Sequence, residues 1–453
     1  MMQPRYTKAL GGAIAGAALM AGTLLLGQEP PAGDAPVLSL SQAIHVAMEN
    51  NRPVNIAKLD IVKSQWAVAQ TKTKRFPAIN TYLFASGDIT SPTFNFPAEL
   101  FGKVNGVPVQ SKNVQLSLSH GVTGYASAQV AQPLSQLYQI HLAIREQQLS
   151  ADLSGEQYKG KRQSLAADVK QAYYAVLQTE SSLDAAQALA KQYEETDRVA
   201  LQYLAQESVL KSDSLQVKAK LAQSRYQIIQ LRDTLDTQKE HLNELLGRDL
   251  DIPFRTEAVP PISPAEMDLK VARQTALQQR PEIKEAAIDV SRANYDKKLA
   301  KAKYIPDVGA AIHYLDPINT EVLPQNILSA GVELKWDPFD WGGRRDEVQQ
   351  KDVSLQQSHY QLQETQAQVL LDVDNNFRKL GESRSLLEVA QAGRDAANEK
   401  MREVSDQFKH SAVLLRDVLE QQAAVANADH DYEQSLLSFW NAKALFEKAL
   451  GEE

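Results

Sequence analysis

The sequence predicts a mainly α-helical chain in which one domain-sized unit, a strand pair followed by long helices, occurs twice. Three observations predict it. The first is an internal repeat. Residues 40–77 read LSQAIHVAMENNRPVNIAKLDIVKSQWAVAQTKTKRFP and residues 269–306 read LKVARQTALQQRPEIKEAAIDVSRANYDKKLAKAKYIP, which sets Arg52-Pro53 on Arg280-Pro281 and Phe76-Pro77 on Ile305-Pro306. Asp168, Val169 and Tyr173 then recur as Asp372, Val373 and Phe377, and Leu246-Gly247 as Leu450-Gly451. A spacing of roughly 200 residues is too long for a stacked solenoid and marks a duplicated domain. The second observation is the absence of proline from residues 142–205 and 344–410; at 1.5 Å per residue each stretch makes a rod of roughly 100 Å. The third is strict period-two alternation in two paired segments, the mark of strands with unlike faces.

Taken in order, residues 1–27 read as a signal peptide. Arg5 and Lys8 precede an uncharged apolar run, followed by a polar, proline-bearing segment. Residues 28–37 form an extended lead-in to the first unit, residues 38–249. Ser41 is a plausible N-cap, and Ile44, Ala47 and Met48 follow at helical spacing until Pro53 breaks the helix. A second helix carries Ile56, Leu59, Val62, Trp66 and Ala69 on one stripe. From Ile79 the period changes to two, with Ile79, Thr81 and Leu83 set against Asn80, Tyr82 and Phe84. Residues 87–112 read as irregular, and alternation returns from Val114 through Val130. The first rod carries Val169, Val176, Leu183 and Ala190 at heptad spacing, with Gly155 and Gly160 loosening its start. Residues 250–266, with four prolines, form an extended linker. The second unit, residues 267–451, repeats the order, with strands over 308–315 and 327–336 and a rod bearing Ala390, Ala397 and Val404.

These rods have thin, alanine-rich seams and charged remaining faces. A hollow cylinder of helices fits them, and so does an extended coiled coil. The strand pairs suit a transmembrane barrel or an ordinary sheet core. Aromatics crowd the strand ends, including Tyr82, Phe84, Tyr125, Tyr314, Trp336, Phe339 and Trp341, as the interfacial girdles of a barrel would.

Composition narrows the function. Net charge is −8 and falls to about −10 without the signal, which argues against a nucleic-acid partner. The absence of cysteine removes disulfides and an acylated N-terminal cysteine. No P-loop, Gly-x-Ser-x-Gly or His-Glu-x-x-His motif occurs. The eight histidines are scattered, and Asp372 and Asp374 read as part of a solvated helix face. No enzyme, cofactor or metal site is expected.

One motif carries a family resemblance. Residues 336–345 read Trp-Asp-Pro-Phe-Asp-Trp-Gly-Gly-Arg-Arg, a strand ending in Pro338, Phe339, Gly342, Gly343 and Arg344 at the foot of a long helix. This strand-to-helix turn, with the opening LSLSQAIHVAMENNRPV over 38–54, resembles the TolC-like outer-membrane efflux protein family along residues 38–451. The resemblance implies a homotrimer in the outer membrane whose twelve strands form one β-barrel and whose twelve helices form an α-barrel across the periplasm. It implies an exit duct for efflux or type I secretion, with a periplasmic adaptor (membrane fusion) protein, an inner-membrane pump of resistance-nodulation-division or ABC type, and outer-membrane lipid as partners. It places a periplasmic aperture at Asp213, Asp417 and Glu420, and an adaptor-docking tip at Ser208, Val209, Leu210, Ser411, Ala412 and Val413. The family's basic latch residue falls on Val413, which leaves Arg416 as the nearby base. The first unit has Gln132-Pro133-Leu134-Ser135-Gln136 where the Gly-Gly-Arg turn would stand. The alternative is a periplasmic coiled-coil adaptor or tether without a pore.

Overall fold

The structure is a computed structural model. It describes residues 36–87, 89, 93–117, 122–206, 210–259, 268–318, 324–410, 412, 413 and 415–452. The expected signal peptide and the second half of the linker lie outside the described residues. The elements run β1 (Val37–Leu38), α1 (Leu40–Asn50), α2 (Arg52–Thr73), β2 (Ala78–Gly87), β3 (Thr93–Phe96), β4 (Lys103–Val104), β5 (Val107–Pro108), β6 (Val114–Ser117), β7 (Val122–Pro133), α3 (Gln136–Ala205), α4 (Lys211–Leu245), β8 (Arg255–Thr256), α5 (Leu269–Gln279), α6 (Pro281–Ala302), β9 (Asp307–Ile318), β10 (Ile327–Lys335), α7 (Gly343–Lys409) and α8 (Leu415–Leu450).

The duplication is written into the core. Ala43 and Ala47 of α1 and Val54 of α2 pack on Leu165, Val169 and Tyr173 of α3 and Leu242 of α4, with Leu246 at its end. The second unit builds the same cluster from Ala272, Ala276, Ile283, Val369, Val373, Phe446 and Leu450, with Phe377 against it. Small alanines on the short helices let them lie close to the rods. Leu437 and Ala444 of α8 reach into the first cluster and join the two units.

Each return helix ends on a glycine that abuts a helix junction. Gly247 (φ 70°) follows α4 and Gly451 (φ 89°) follows α8, and each N–H donates back to the last turn, to Glu244 at 3.0 Å and Lys448 at 3.0 Å. A Cβ on Gly247 would lie 2.6 Å from the Asn50 carbonyl carbon, and one on Gly451 would lie 3.1 Å from the Arg280 nitrogen. At these junctions Asn51 donates to the Leu245 carbonyl at 3.0 Å and Arg280 donates to the Lys448 carbonyl at 3.0 Å. Asn51 is therefore the counterpart of Arg280, and the Arg-Pro dipeptides are out of register by one residue. Helix geometry, not dipeptide identity, sets the alignment.

Several expectations change at this level. The cap of α1 is Ser39 rather than Ser41, because Ser39 and Gln42 close a reciprocal capping box. Asp372 and Asp374 do not face solvent freely. Asp374 takes a two-pronged ion pair from Arg273 of α5 at 2.8 and 2.6 Å, and Asp372 lies 3.2 Å from Arg280. The Arg273 guanidinium holds the Asp374 carboxyl below its usual range. The first unit's strand-to-helix passage is ordered without a Gly-Gly-Arg turn: Leu134 donates to the Val308 carbonyl at 2.9 Å and Val308 donates to Ser135 Oγ at 2.7 Å. The stretch expected to be irregular holds two small ladders, β3 with β6 and β4 with β5, nested inside the β2–β7 hairpin.

β1 and β8 form a short parallel pair. Tyr173 locks it, its hydroxyl 2.8 Å from the Leu38 carbonyl and accepting from the Glu257 N–H at 2.7 Å. Its counterpart Phe377 has no hydroxyl to play that part.

Candidate functional site

Four strands form one antiparallel sheet in the order β10-β9-β7-β2, so the β7–β9 ladder joins the two units. Register decides which side chains share a face, because residues directly opposite across a ladder point the same way. One face carries Ile79 and Leu83 of β2, Ala126, Ala128 and Val130 of β7, Ile312 and Tyr314 of β9, and Leu328, Val332 and Leu334 of β10. Its polar exceptions are Thr81 in the middle and Gln132 and Asp316 towards opposite ends. The other face carries Asn80, Gln129, His313 and Ser329 in one transverse row, with Asp307, Glu333 and Lys335 at the helix end.

An apolar face of this extent, with Leu328 and Val332 more than 70% exposed, suits hydrocarbon on one side and water on the other. The strands are 9 to 12 residues long, the length a tilted membrane-spanning strand needs. Among the described residues no helix is long and apolar enough to cross a membrane. The expected aromatic girdle divides. Tyr314 lies on the apolar face, whereas Tyr82, Phe84 and Tyr125 lie on the polar one. Period two sends neighbours to opposite sides, and aromatic content alone did not show which.

The turn into α7 is organised by Asp340, the acidic residue of the motif. Asp340 Oδ2 accepts the Arg344 N–H at 2.7 Å, Oδ1 accepts the Gly342 N–H at 3.3 Å, and the Asp340 carbonyl accepts the Gly343 N–H at 3.1 Å. Arg344 donates to the Asp337 carbonyl at 2.6 Å. Trp341 is held at φ 58°, 90% exposed, its ring edge-on to Phe339 at 4.8 Å. Pro338, Phe339, Gly342, Gly343 and Arg344 are thus brought together. The signal for Asp340 was available, an acidic residue just ahead of a long helix. Asp340→Ala is expected to cost about 1 kcal/mol, read as a lower thermal midpoint, with Asp340→Asn losing less.

At the far end of the rods, residues 206–210 join α3 to α4 and residues 410–414 join α7 to α8. Leu210 precedes α4 without a side-chain cap and is 70% exposed. Ala412 is exposed and Val413 half-buried; Ala412 donates to the Gln407 carbonyl at 2.9 Å. Asp417 stands in the first turn of α8, part-buried, and Glu420 is exposed; each has an interaction partner within the chain. Beside them Gln421 donates to the Ala397 carbonyl of α7 at 3.1 Å. Ser208, Val209 and Ser411 lie outside the described residues, and the side chains of Asp213 and Arg416 are not described. No cluster of three or more His, Cys, Asp or Glu able to hold a metal occurs among the described residues.

The family model described as outer membrane efflux protein matches residues 43–248 and 272–452. The alkaline protease secretion protein AprF of Pseudomonas aeruginosa is 22% identical over 319 residues, covering 68% of this chain and 65% of AprF; the chain spans just under two thirds of that relative's length. Among solved structures, CusC, described through its folding and transmembrane channel formation, superposes with a TM-score of 0.74 at 15% identity, over 91% of this chain and 92% of its own. The Campylobacter jejuni CmeC outer membrane channel gives a TM-score of 0.74 at 15% identity, over 91% and 85%. These likenesses show the fold. They agree with a sheet set in the outer membrane and helices extending into the periplasm. With both repeats matched along most of their length, the chain belongs to the outer membrane efflux protein family.

Proposed function

We propose that three copies of this chain close into an outer-membrane duct, the exit of a tripartite efflux or type I secretion system. The observation that carries the reading is an incomplete pseudo-symmetry. In the second unit, α6 packs between α7 of its own unit and α3 of the other, α8 does the same, and β9 pairs with both β10 and β7. Of the long helices and sheet strands, their first-unit counterparts α2, α4 and β2 pack along only α3 or β7 among the described residues. What each lacks is the same kind of neighbour, α7 or β10 from another second unit. One head-to-tail contact with a further copy supplies all three, and repetition closes a ring. Open sheet edges in lipid leave backbone groups unsatisfied at several kcal/mol each, so closure is obligatory. Three copies give twelve strands, the count that the family resemblance implies.

The surfaces agree. Ile56, Leu59 and Trp66 stand exposed on α2, and Val353 and Tyr360 on α7. An adaptor or tether without a pore needs no lipid-compatible sheet face, and so accounts for less of the chain. The test is the purified protein in planar bilayers together with chemical cross-linking. Trimers that conduct are expected, cation-selective through rings of Asp417 and Glu420 with Asp213, and Asp417→Ala/Glu420→Ala should lose that selectivity. A monomer that never inserts or conducts would overturn the reading.

The tip turns, residues 208–210 and 411–413, are the proposed adaptor-docking surface, and the pump reaches the duct through that adaptor. Leu210→Asp/Val413→Asp places two charges in a contact that must lose water, at a cost of several kcal/mol if buried. Export should fall sharply while trimers still form. Unchanged export removes the docking assignment.

A further inference from the structure

The face opposite the lipid changes character along its length, and this gradient carries an inference that rests on the trimeric duct. From the helix end towards the loops, successive transverse rows are Asp307 and Lys335; then Pro133, Gly309 and Glu333; then Ala78, Ala131, Ala311 and Gly331; then Asn80, Gln129, His313 and Ser329; then Tyr82, Ser127, Leu315 and Ile327; then Phe84, Tyr125 and Pro317; then Ser86 and Thr123. The charged side chains of this face stand at the helix end, its bulkiest and most apolar rows are the two that carry aromatic rings, and small hydroxyls lie beyond them. The two rows that carry Tyr82 and Phe84 hold no charged residue. Tyr125 sits at their centre, its ring 5.6 Å from that of Tyr82 and 5.7 Å from that of Phe84. The three rings therefore support one another as a packed plate while remaining partly exposed to the interior, Tyr82 at 54% and Phe84 at 41%.

We propose that Tyr82, Phe84 and Tyr125, repeated around the ring, form an aromatic collar at the outer end of the lumen that binds aryl-bearing organic cations. Aromatic faces attract cations through their quadrupole, more strongly where water is partly displaced. The chain's net charge of −8 adds a favourable field. Apolar constrictions also resist hydrated inorganic ions, so the collar discriminates between classes of solute. It is separate from the acidic residues at the periplasmic tip, which lie at the opposite end of the rods.

The probe is tetraphenylphosphonium added to the loop side of single trimers in planar bilayers. Reversible block is expected, weakened about tenfold in Tyr82→Ala/Phe84→Ala/Tyr125→Ala and retained in Tyr82→Phe/Tyr125→Phe, since rings and not hydroxyls make the site. Leu83→Ala, on the lipid face of the same strand, should block like the parent. Oligomer migration on unheated gels checks assembly; if the triple variant does not assemble, Phe84→Ala alone is expected to weaken block about threefold. Block that is absent in the parent, or equal in parent and collar variants, overturns the collar. A parent protein that forms no conducting pores overturns the duct instead.

Discussion

Gly247→Ala is expected to prevent stable assembly. The residue sits at φ 70°, where an L side chain costs about 1–2 kcal/mol. Its new Cβ would stand 2.6 Å from the Asn50 carbonyl carbon, and backbone cannot rotate away as a side chain can. Overpacking of that kind adds about 1–3 kcal/mol. The sum, about 2–5 kcal/mol, is a large part of a typical folding free energy of about 5–15 kcal/mol. Gly451→Ala meets its neighbours at 3.1 Å and beyond, so it should do less harm. Thermal unfolding followed by circular dichroism, with recovery of heat-stable oligomer on gels, gives the order. Equal loss at both positions would contradict the close approach at Gly247.

Trp66→Asp is expected to abolish the trimer while leaving the single chain folded. Trp66 lies on α2 with 71% of its surface exposed in one chain, on the stripe of Ile56, Leu59 and Val62. Its counterpart in the second unit, by the offset between α2 and α6, is Tyr295, which is part-buried and borders a cleft with Arg145, Leu149 and Asp152 of α3. The same position is thus filled from within the chain in one unit and awaits a neighbour in the other. Burial of a large aromatic contributes about 2–3 kcal/mol, repeated at every junction of the ring, and a carboxylate there adds a desolvation cost. Sedimentation should show a monomer with parental helix content. Tyr295→Asp should instead lower the stability of the chain itself; if both variants remain trimeric, the proposed neighbour of α2 is wrong.

Much of this architecture was legible in the residues. The repeat, the rods and the alternating strands follow from periodicity, and the counterparts Ala43/Ala272 and Val169/Val373 fall into matching cores. Fine registration was harder to read. Ser39 and Ser41 are both acceptable caps until the reciprocal bond to Gln42 chooses between them. The nested hairpin was missed although its tip, Asn105-Gly106 between Val104 and Val107, is a strong two-residue turn signal, with φ 51° and 82° in the structure. Single-strand alternation separated Ile79 from Asn80 but could not align one strand with the next, so the rows that put His313 beside Gln129 required the ladders. The tip assignments, by contrast, come from family resemblance. Their acids have no local pattern that separates an aperture from an ordinary helix start.

The β1–β8 pair also bears on how the chain comes to be folded. Val37 and Leu38 find their partners Arg255 and Thr256 roughly 200 residues later, and contacts that far apart close slowly. As the chain emerges N-terminus first, β1 has nothing to pair with. The α3–α4 hairpin can form from its own sequence in that interval. The belt around it is buckled only afterwards, when β8 arrives and Tyr173 donates to the Leu38 carbonyl. The strand β9 that covers the free edge of β7 comes later still, so the β2–β7 hairpin waits with an unpaired edge, the condition in which β segments stick to one another. A carrier that holds those strands, and releases them only near lipid, is what such an order of events calls for.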